Sequence, residues 1–337
     1  MGKYNYVYFD MGKVFCRGID RDNYYYICTE DLRKLDNVQV SSGPLDYSSF
    51  LWRFLYKAYH HPVSNRYVQL PLKKLWYPYY FKSNFKTERP FCFIVSRYTV
   101  PNYLRYLKKR YPDCKIVLLH RDLIHLWYER NPAFTPEIVE EIFDLRMTYD
   151  EKEAELYGIP HFDEFESKPE VSIDPEYPLS DVFFAGYAKD RLPTLLRAYE
   201  KFAEKGLRCD YYIVGVPESE RVERPGIVYA DRQMSYREML YRTVNSKCVL
   251  EICQSGAVGY TSRFLEAVMY NKKLITNNPA VGKTKFYDPR YIQCIDQVED
   301  MDVGFVDRDV GEIDYHYKGE FSPVHLIERI EQLLSEK

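Results

Sequence analysis

The stretch that most constrains the fold runs from Lys247 to Asn278. An apolar run, Lys247-Cys-Val-Leu-Glu-Ile-Cys253, leads into Gln254-Ser-Gly-Ala-Val-Gly-Tyr260. Then come Thr-Ser-Arg-Phe-Leu-Glu-Ala-Val-Met269, a short turn, and a second apolar run, Lys273-Leu-Ile-Thr276. This reads as strand, glycine-containing loop, helix and strand, a unit that places both strands parallel in one sheet. Gly256 and Gly259 let bare backbone approach a ligand. Thr261 or Ser262 suits the N-cap, so free amides and the positive end of the helix dipole point into the loop. Arg263 in the first turn is unfavourable for the helix alone, a penalty that a bound phosphate reverses. Glu266, one turn on, is within reach of a sugar hydroxyl. The stretch is therefore a candidate diphosphate cradle.

The surrounding chain repeats the alternation. Asp181-Val-Phe-Phe-Ala-Gly186 and Cys209-Asp-Tyr-Tyr-Ile-Val-Gly215 are strands ending in glycine, and Gly226–Ala230 is a third. Helices are expected over 192–205 and 235–245, the second with Ser235 as N-cap, and a further strand over 291–295. The first half shows strands at 4–10, 89–96 and 114–120, helices at 48–59, 100–110 and 135–144, and a short strand and helix over 145–157. Tyr24–Cys28 reads as another strand. Ligands in such sheets bind beyond the carboxyl ends of the strands. His120 falls there with Asp122 nearby, a candidate base and its orienter, as do Ser96, Arg97 and Arg121.

A chain of 337 residues suits two domains. The proline- and acid-rich segment 159–179 marks the break, giving a first domain over 1–175 and a second over 176–322. A terminal amphipathic helix, 323–337, is expected to pack back on the first. A formal charge of −3 offers no electrostatic case for nucleic acid. No apolar run reaches the ~18–20 residues that span a bilayer, and the N-terminus lacks a signal-peptide core, so a cytoplasmic chain is expected. Eight scattered cysteines without a Cys-x2-Cys pair read as buried small hydrophobes in a reducing compartment.

The order of elements around Gly186, Gly215, Leu265-Glu266-Ala267 and Lys272-Lys-Leu-Ile-Thr-Asn277 resembles the C-terminal half of GT-B glycosyltransferases. Leu250-Glu-Ile-Cys-Gln through Thr261-Ser-Arg-Phe-Leu-Glu-Ala267 is similar to the pattern of bacterial lipopolysaccharide- and capsule-type members. The resemblance implies an α/β fold of two Rossmann-like, doubly wound parallel-sheet domains facing across a cleft. It also implies a hexosyltransferase (EC 2.4) that uses a nucleotide-diphosphate sugar as donor substrate, with no further cofactor and no metal. Donor binding would fall to Gly186, Lys189, Arg191, Gly215, Tyr236, Gly259, Thr261, Ser262, Arg263 and Glu266. Of these, Arg263, Lys189 and Arg191 would meet the diphosphate and Glu266 the ribose. Larger retaining families carry a second glutamate eight positions earlier, where this chain has Val258. The acceptor would be a glycan or lipid-linked glycan, with peripheral association at the inner face of a membrane. Three other readings stand beside this one. They are a metal-dependent transferase using Asp20 and Asp22, a nucleotide-sugar epimerase or hydrolase, and a catalytically degenerate GT-B domain serving as a glycan-assembly partner.

Overall fold

A computed structural model of the chain describes residues 2–9, 21–41, 50–59, 72–96, 100–254 and 259–336. Asp20, Arg97, Gly256 and Val258 lie outside the described residues. The chain divides into two compact units, Met1–Ser167 with Ser322–Lys337, and Lys168–Phe321.

The first unit is built on β1 (Asn5–Phe9), β2 (Val38–Ser41), β3 (Phe91–Val95), β4 (Lys115–His120) and β5 (Leu145–Thr148). They pair in the order β2-β1-β3-β4-β5, every pair parallel. A parallel sheet is covered on both faces, so its strands are apolar throughout, and successive side chains part to opposite sides. In β1, Tyr6 and Tyr8 enter one core while Val7 and Phe9 enter the other; in β4, Val117 and Leu119 separate from Ile116 and Leu118 in the same way. The helices are α1 (Tyr24–Cys28), α2 (Phe50–Tyr59), α3 (Pro101–Arg110), α4 (Ile124–Arg130), α5 (Pro136–Ile142) and α6 (Glu151–Tyr157). In α6 the Asp150 carboxylate accepts the Glu153 amide at 2.9 Å, and Gly158 ends the helix at φ 61°.

Tyr24–Cys28, expected as a strand, is a helix. Five residues rich in strand formers carry no decisive period, and Asn23 Oδ1 caps the turn by accepting the Tyr26 amide at 2.9 Å. Strand β2 and helix α4 were not foreseen; β2 has only four residues and α4 seven.

The second unit holds β6 (Ser180–Tyr187), β7 (Cys209–Val214), β8 (Ile227–Ala230), β9 (Ser246–Glu251), β10 (Lys273–Thr276) and β11 (Ile292–Cys294). Their order is β11-β10-β9-β6-β7-β8, again all parallel. Helices α7 (Leu192–Glu204), α8 (Tyr236–Val244) and α9 (Ser262–Met269) follow β6, β8 and β9. One core is sealed by Leu195, Ala198 and Phe202 of α7, and another by Phe264, Leu265 and Val268 of α9.

The last helix, α10 (Val324–Ser335), belongs to the first unit. Leu326, Ile327 and Ile330 pack with Tyr4, Tyr6 and Tyr8, and Glu331 accepts the Lys3 amide at 2.6 Å. The division falls at 167/168 instead of 175/176, for a local reason. The Ser167 hydroxyl donates to Cys28 O at 3.1 Å and accepts the Asp31 amide at 2.9 Å. Two residues on, Pro169 O accepts the Tyr270 hydroxyl at 2.9 Å, and Asn245 Nδ2 donates to Asp174 O and Tyr177 O at 2.7 and 2.9 Å. The part of the proline-rich segment from Pro169 to Tyr177 is thus bound to the second unit by its carbonyls.

Candidate functional site

In the second unit β6 is the first strand. The chain then adds β7 and β8 on one side of it before crossing to place β9 on the other. The crevice beyond the carboxyl ends of β6 and β9 is therefore the topological switch point, where open parallel sheets accept ligands. A cavity of about 220 Å³ lies there, among the ends of both strands and the start of α9.

Three cations converge on it. Lys189, held at φ 47°, directs Nζ to Gln254 Oε1 at 2.8 Å. The Arg191 guanidinium donates to Tyr187 O (Nη2, 2.9 Å) and to Ile252 O, tying the end of β6 to the residue after β9. Arg263 Nη2 donates to Ala185 O at 2.5 Å. Gly186 makes this approach possible, since a Cβ there would stand 3.1 Å from Arg191 Nη2 and 3.8 Å from Arg263 Nη2. Burial, then the charge of Arg263, lowers the Arg191 pKa. Among the described residues neither guanidinium forms an ion pair; in particular, the i, i+3 spacing does not join Arg263 to Glu266. Two adjacent guanidiniums held only by carbonyls make a site that an anion would complete.

The helix start adds amides. Thr261 is the N-cap of α9, its hydroxyl accepting the Arg263 amide at 3.2 Å, and Ser262 is the first helical residue. Gly259 has φ 91°, and its carbonyl accepts Asn278 Nδ2 at 2.9 Å; Asn277 Oδ1 accepts the Cys253 amide at 2.7 Å. The two asparagines after β10 thus pin both ends of the glycine loop.

Sequence reasoning did not single out Glu251, which closes β9 at 3% exposure. Its carboxylate accepts the hydroxyls of Thr261 and Thr276. Burial raises its pKa, and the two threonines, Arg263 and Arg191 oppose that rise. The signal was present: an acid inside the run Cys-Val-Leu-Glu-Ile is costly to bury unless it is partnered.

Other expected donor residues sit differently. Glu266 has no exposed surface, and Tyr236, 5% exposed, donates its hydroxyl to Glu266 Oε1 at 3.0 Å. Burial raises the Glu266 pKa to about 7, with Arg263 opposing and Glu251 adding to the rise. Neither residue lines the cavity in this structure. Gly215 follows β7 at φ 77°, where a Cβ would stand 3.4 Å from the ring of Tyr187, which lines the cavity.

In the first unit the switch point falls between β1 and β3, whereas His120 ends β4. His120 has no exposed surface, its ring stands edge-on to Trp127 at 5.2 Å, and neither ring nitrogen has a partner among the described residues. Burial, then the Arg146 charge, lowers its pKa to about 3. Asp122 pairs with Arg130 on the surface. The expected base and orienter are therefore not joined in this structure, Asp122 being held by Arg130 and the His120 ring by its apolar surroundings. Arg121 pairs with Glu164 and stacks on Phe165 at 4.4 Å.

No protein-family model matches the chain, and no curated protein matches it. Solved structures do. An alpha-glucosyltransferase in complex with UDP and a 13-mer DNA containing a HMU base aligns with a TM-score of 0.59 at 10% identity, covering 98% of this chain and 100% of that one. Anabaena HepE in complex with UDP and glucose aligns with a TM-score of 0.52 at 10% identity, covering 99% and 100%. With its two parallel-sheet α/β units, each strand order reversing at a switch point, this chain has the GT-B fold.

Proposed function

We propose that this protein is a glycosyltransferase that moves a sugar from a nucleoside-diphosphate donor to a hydroxyl of a surface-glycan acceptor, of lipopolysaccharide or capsule type, without a metal ion. The observation that carries the reading is the convergence of Lys189, Arg191 and Arg263 with the α9 N-terminus at the β6/β9 switch point. As the glycosidic bond breaks, negative charge grows on the departing diphosphate. Fixed guanidiniums and helix amides lower the energy of that charge without having to reorganise. Both solved structures named above contain UDP, which makes UDP the first nucleotide to test. The acceptor is a glycan or lipid-linked glycan, reached at a membrane face.

The test is calorimetric titration of UDP, GDP, CMP and dTDP, then of the sugar donors of whichever binds. Arg263→Ala should weaken binding at least about tenfold, the scale of one charge-assisted contact to phosphate. Unchanged affinity would sink the reading. Transfer should persist in a chelator; a requirement for Mg²⁺ or Mn²⁺ would favour the Asp20–Asp22 alternative. The buried state of His120 favours one second reading, a degenerate domain that binds donor without turning it over, which would release no nucleoside diphosphate with any acceptor.

A further inference from the structure

The first unit carries a surface that its fold does not require. In α2, Phe50, Leu51, Trp52, Phe54 and Leu55 are each 43–61% exposed. Beside it, the short helix Lys73–Tyr79 and the residue before it expose Leu72, Leu75 and Tyr79. The two segments form one aromatic platform. Trp52 stacks on Tyr79 with centroids 5.7 Å apart and meets Trp76 edge-on at 6.1 Å, and Tyr56 meets Trp76 at 5.6 Å. Large apolar residues scattered singly are ordinary on a surface, but eight of them on two segments joined by ring contacts mark an interaction site.

Charge identifies the partner. From Tyr47 to Thr87 the chain has no Asp or Glu, and it has seven basic residues, Arg53, Lys57, Arg66, Lys73, Lys74, Lys82 and Lys86. The whole protein is nevertheless net negative at −3, so basic charge is concentrated in this segment. Trp and Tyr among Phe and Leu, with lysines and arginines and no acids, is the chemistry of a segment lying in the headgroup region of an anionic bilayer. A second copy meeting the same face about a two-fold axis would set this positive segment against itself. No described helix is long and apolar enough to cross a membrane.

We propose that the platform of Phe50–Tyr59 and Leu72–Tyr80 docks this protein on an anionic lipid bilayer. This deepens the membrane-face acceptor reading above and stands apart from it experimentally, because docking needs neither donor nor acceptor. Full-length protein is sedimented with vesicles of phosphatidylcholine, alone or mixed with phosphatidylglycerol. It should co-sediment with the mixed vesicles only, and salt should weaken the binding. The chain has three tryptophans, and Trp127 is buried, so a blue shift of emission on adding vesicles reports on Trp52 and Trp76. Lys74→Glu should cut partitioning roughly tenfold, and Phe54→Ser should abolish it together with most of the blue shift. Both positions are exposed, and circular dichroism checks the fold of each variant. Three results would overturn the proposal: no binding to mixed vesicles, binding unchanged in both variants, or a dimer that Phe54→Ser dissociates in a protein that ignores vesicles. Nucleotide titration of the same preparations separates the outcomes, since protein that binds UDP but not vesicles loses only this inference.

Discussion

The Tyr236 hydroxyl donates to Glu266 Oε1 at 3.0 Å over a carboxylate that has no exposed surface. This contact ties α8 to α9 directly beneath the cation cluster, and it makes the second unit sensitive to pH. Burial holds the Glu266 pKa near 7, against 4.5 for the free side chain. A carboxyl whose folded pKa is raised contributes stability fully below its unfolded pKa and loses it as pH rises through the folded one. Glu266 should therefore withdraw on the order of 3 kcal/mol of stability between about pH 4.5 and pH 7, while His120, whose pKa is lowered from 6.5 to about 3, adds stability as pH rises through the lower part of that range. Urea unfolding of the parent and of Glu266→Gln side by side isolates this carboxyl: the parent's stability relative to the variant should decline across that range. Tyr236→Phe removes a donor to the charged form and should cost a further ~1–3 kcal/mol at pH 8 but little at pH 5. An unchanged slope in Glu266→Gln would show that another group carries the dependence.

Gly186 separates binding from folding. A methyl group there meets three side chains, 3.1 Å from Arg191 Nη2, 3.5 Å from Phe184 Cζ and 3.8 Å from Arg263 Nη2, and no backbone. Gly186→Ala should displace the Arg191 guanidinium and weaken nucleoside-diphosphate binding about tenfold or more. The unfolding free energy should change by less than about 1 kcal/mol. Calorimetry and denaturant melts on one preparation decide it; equal loss of both would mean that the guanidiniums hold the fold and not a ligand.

Gly226 predicts the opposite pattern. It precedes β8 at φ 80°, and a Cβ would stand 2.0 Å from the Cys209 carbonyl oxygen, which is backbone and cannot swing aside. Gly226→Ala should destabilise the chain by more than ~3 kcal/mol, through positive-φ strain together with that overlap. A melting temperature within a few degrees of the parent's would show that the β7–β8 connection is softer than drawn.

Much of the fold was legible because a parallel sheet covered on both faces writes itself as apolar runs. The runs at 181–186, 209–215 and 247–253 became strands for that reason. Ser235 and Thr261 are N-caps because a short side-chain oxygen satisfies an amide within its own turn, a contact that local sequence specifies. Lys189 and Arg191 could be placed just past the end of β6, and Arg263 at a helix start, from the sequence alone.

Strand adjacency was not legible, because hydrogen bonds between strands join residues far apart in the chain. Only the placement of β9 beside β6 brings Arg263 to Ala185, across 78 positions. Likewise the 25 positions from Glu251 to Thr276 close only when β10 pairs with β9. His120 shows the same limit from the other side: ending a strand suggested access, but Trp127 on the following helix seals its ring. The chain alone determined most of the longer strands and helices and two of the helix caps. Tertiary structure decided which carboxylates are buried, which strand ends share a crevice, and which histidine is out of reach, because burial and partnering belong to packing across the sheet.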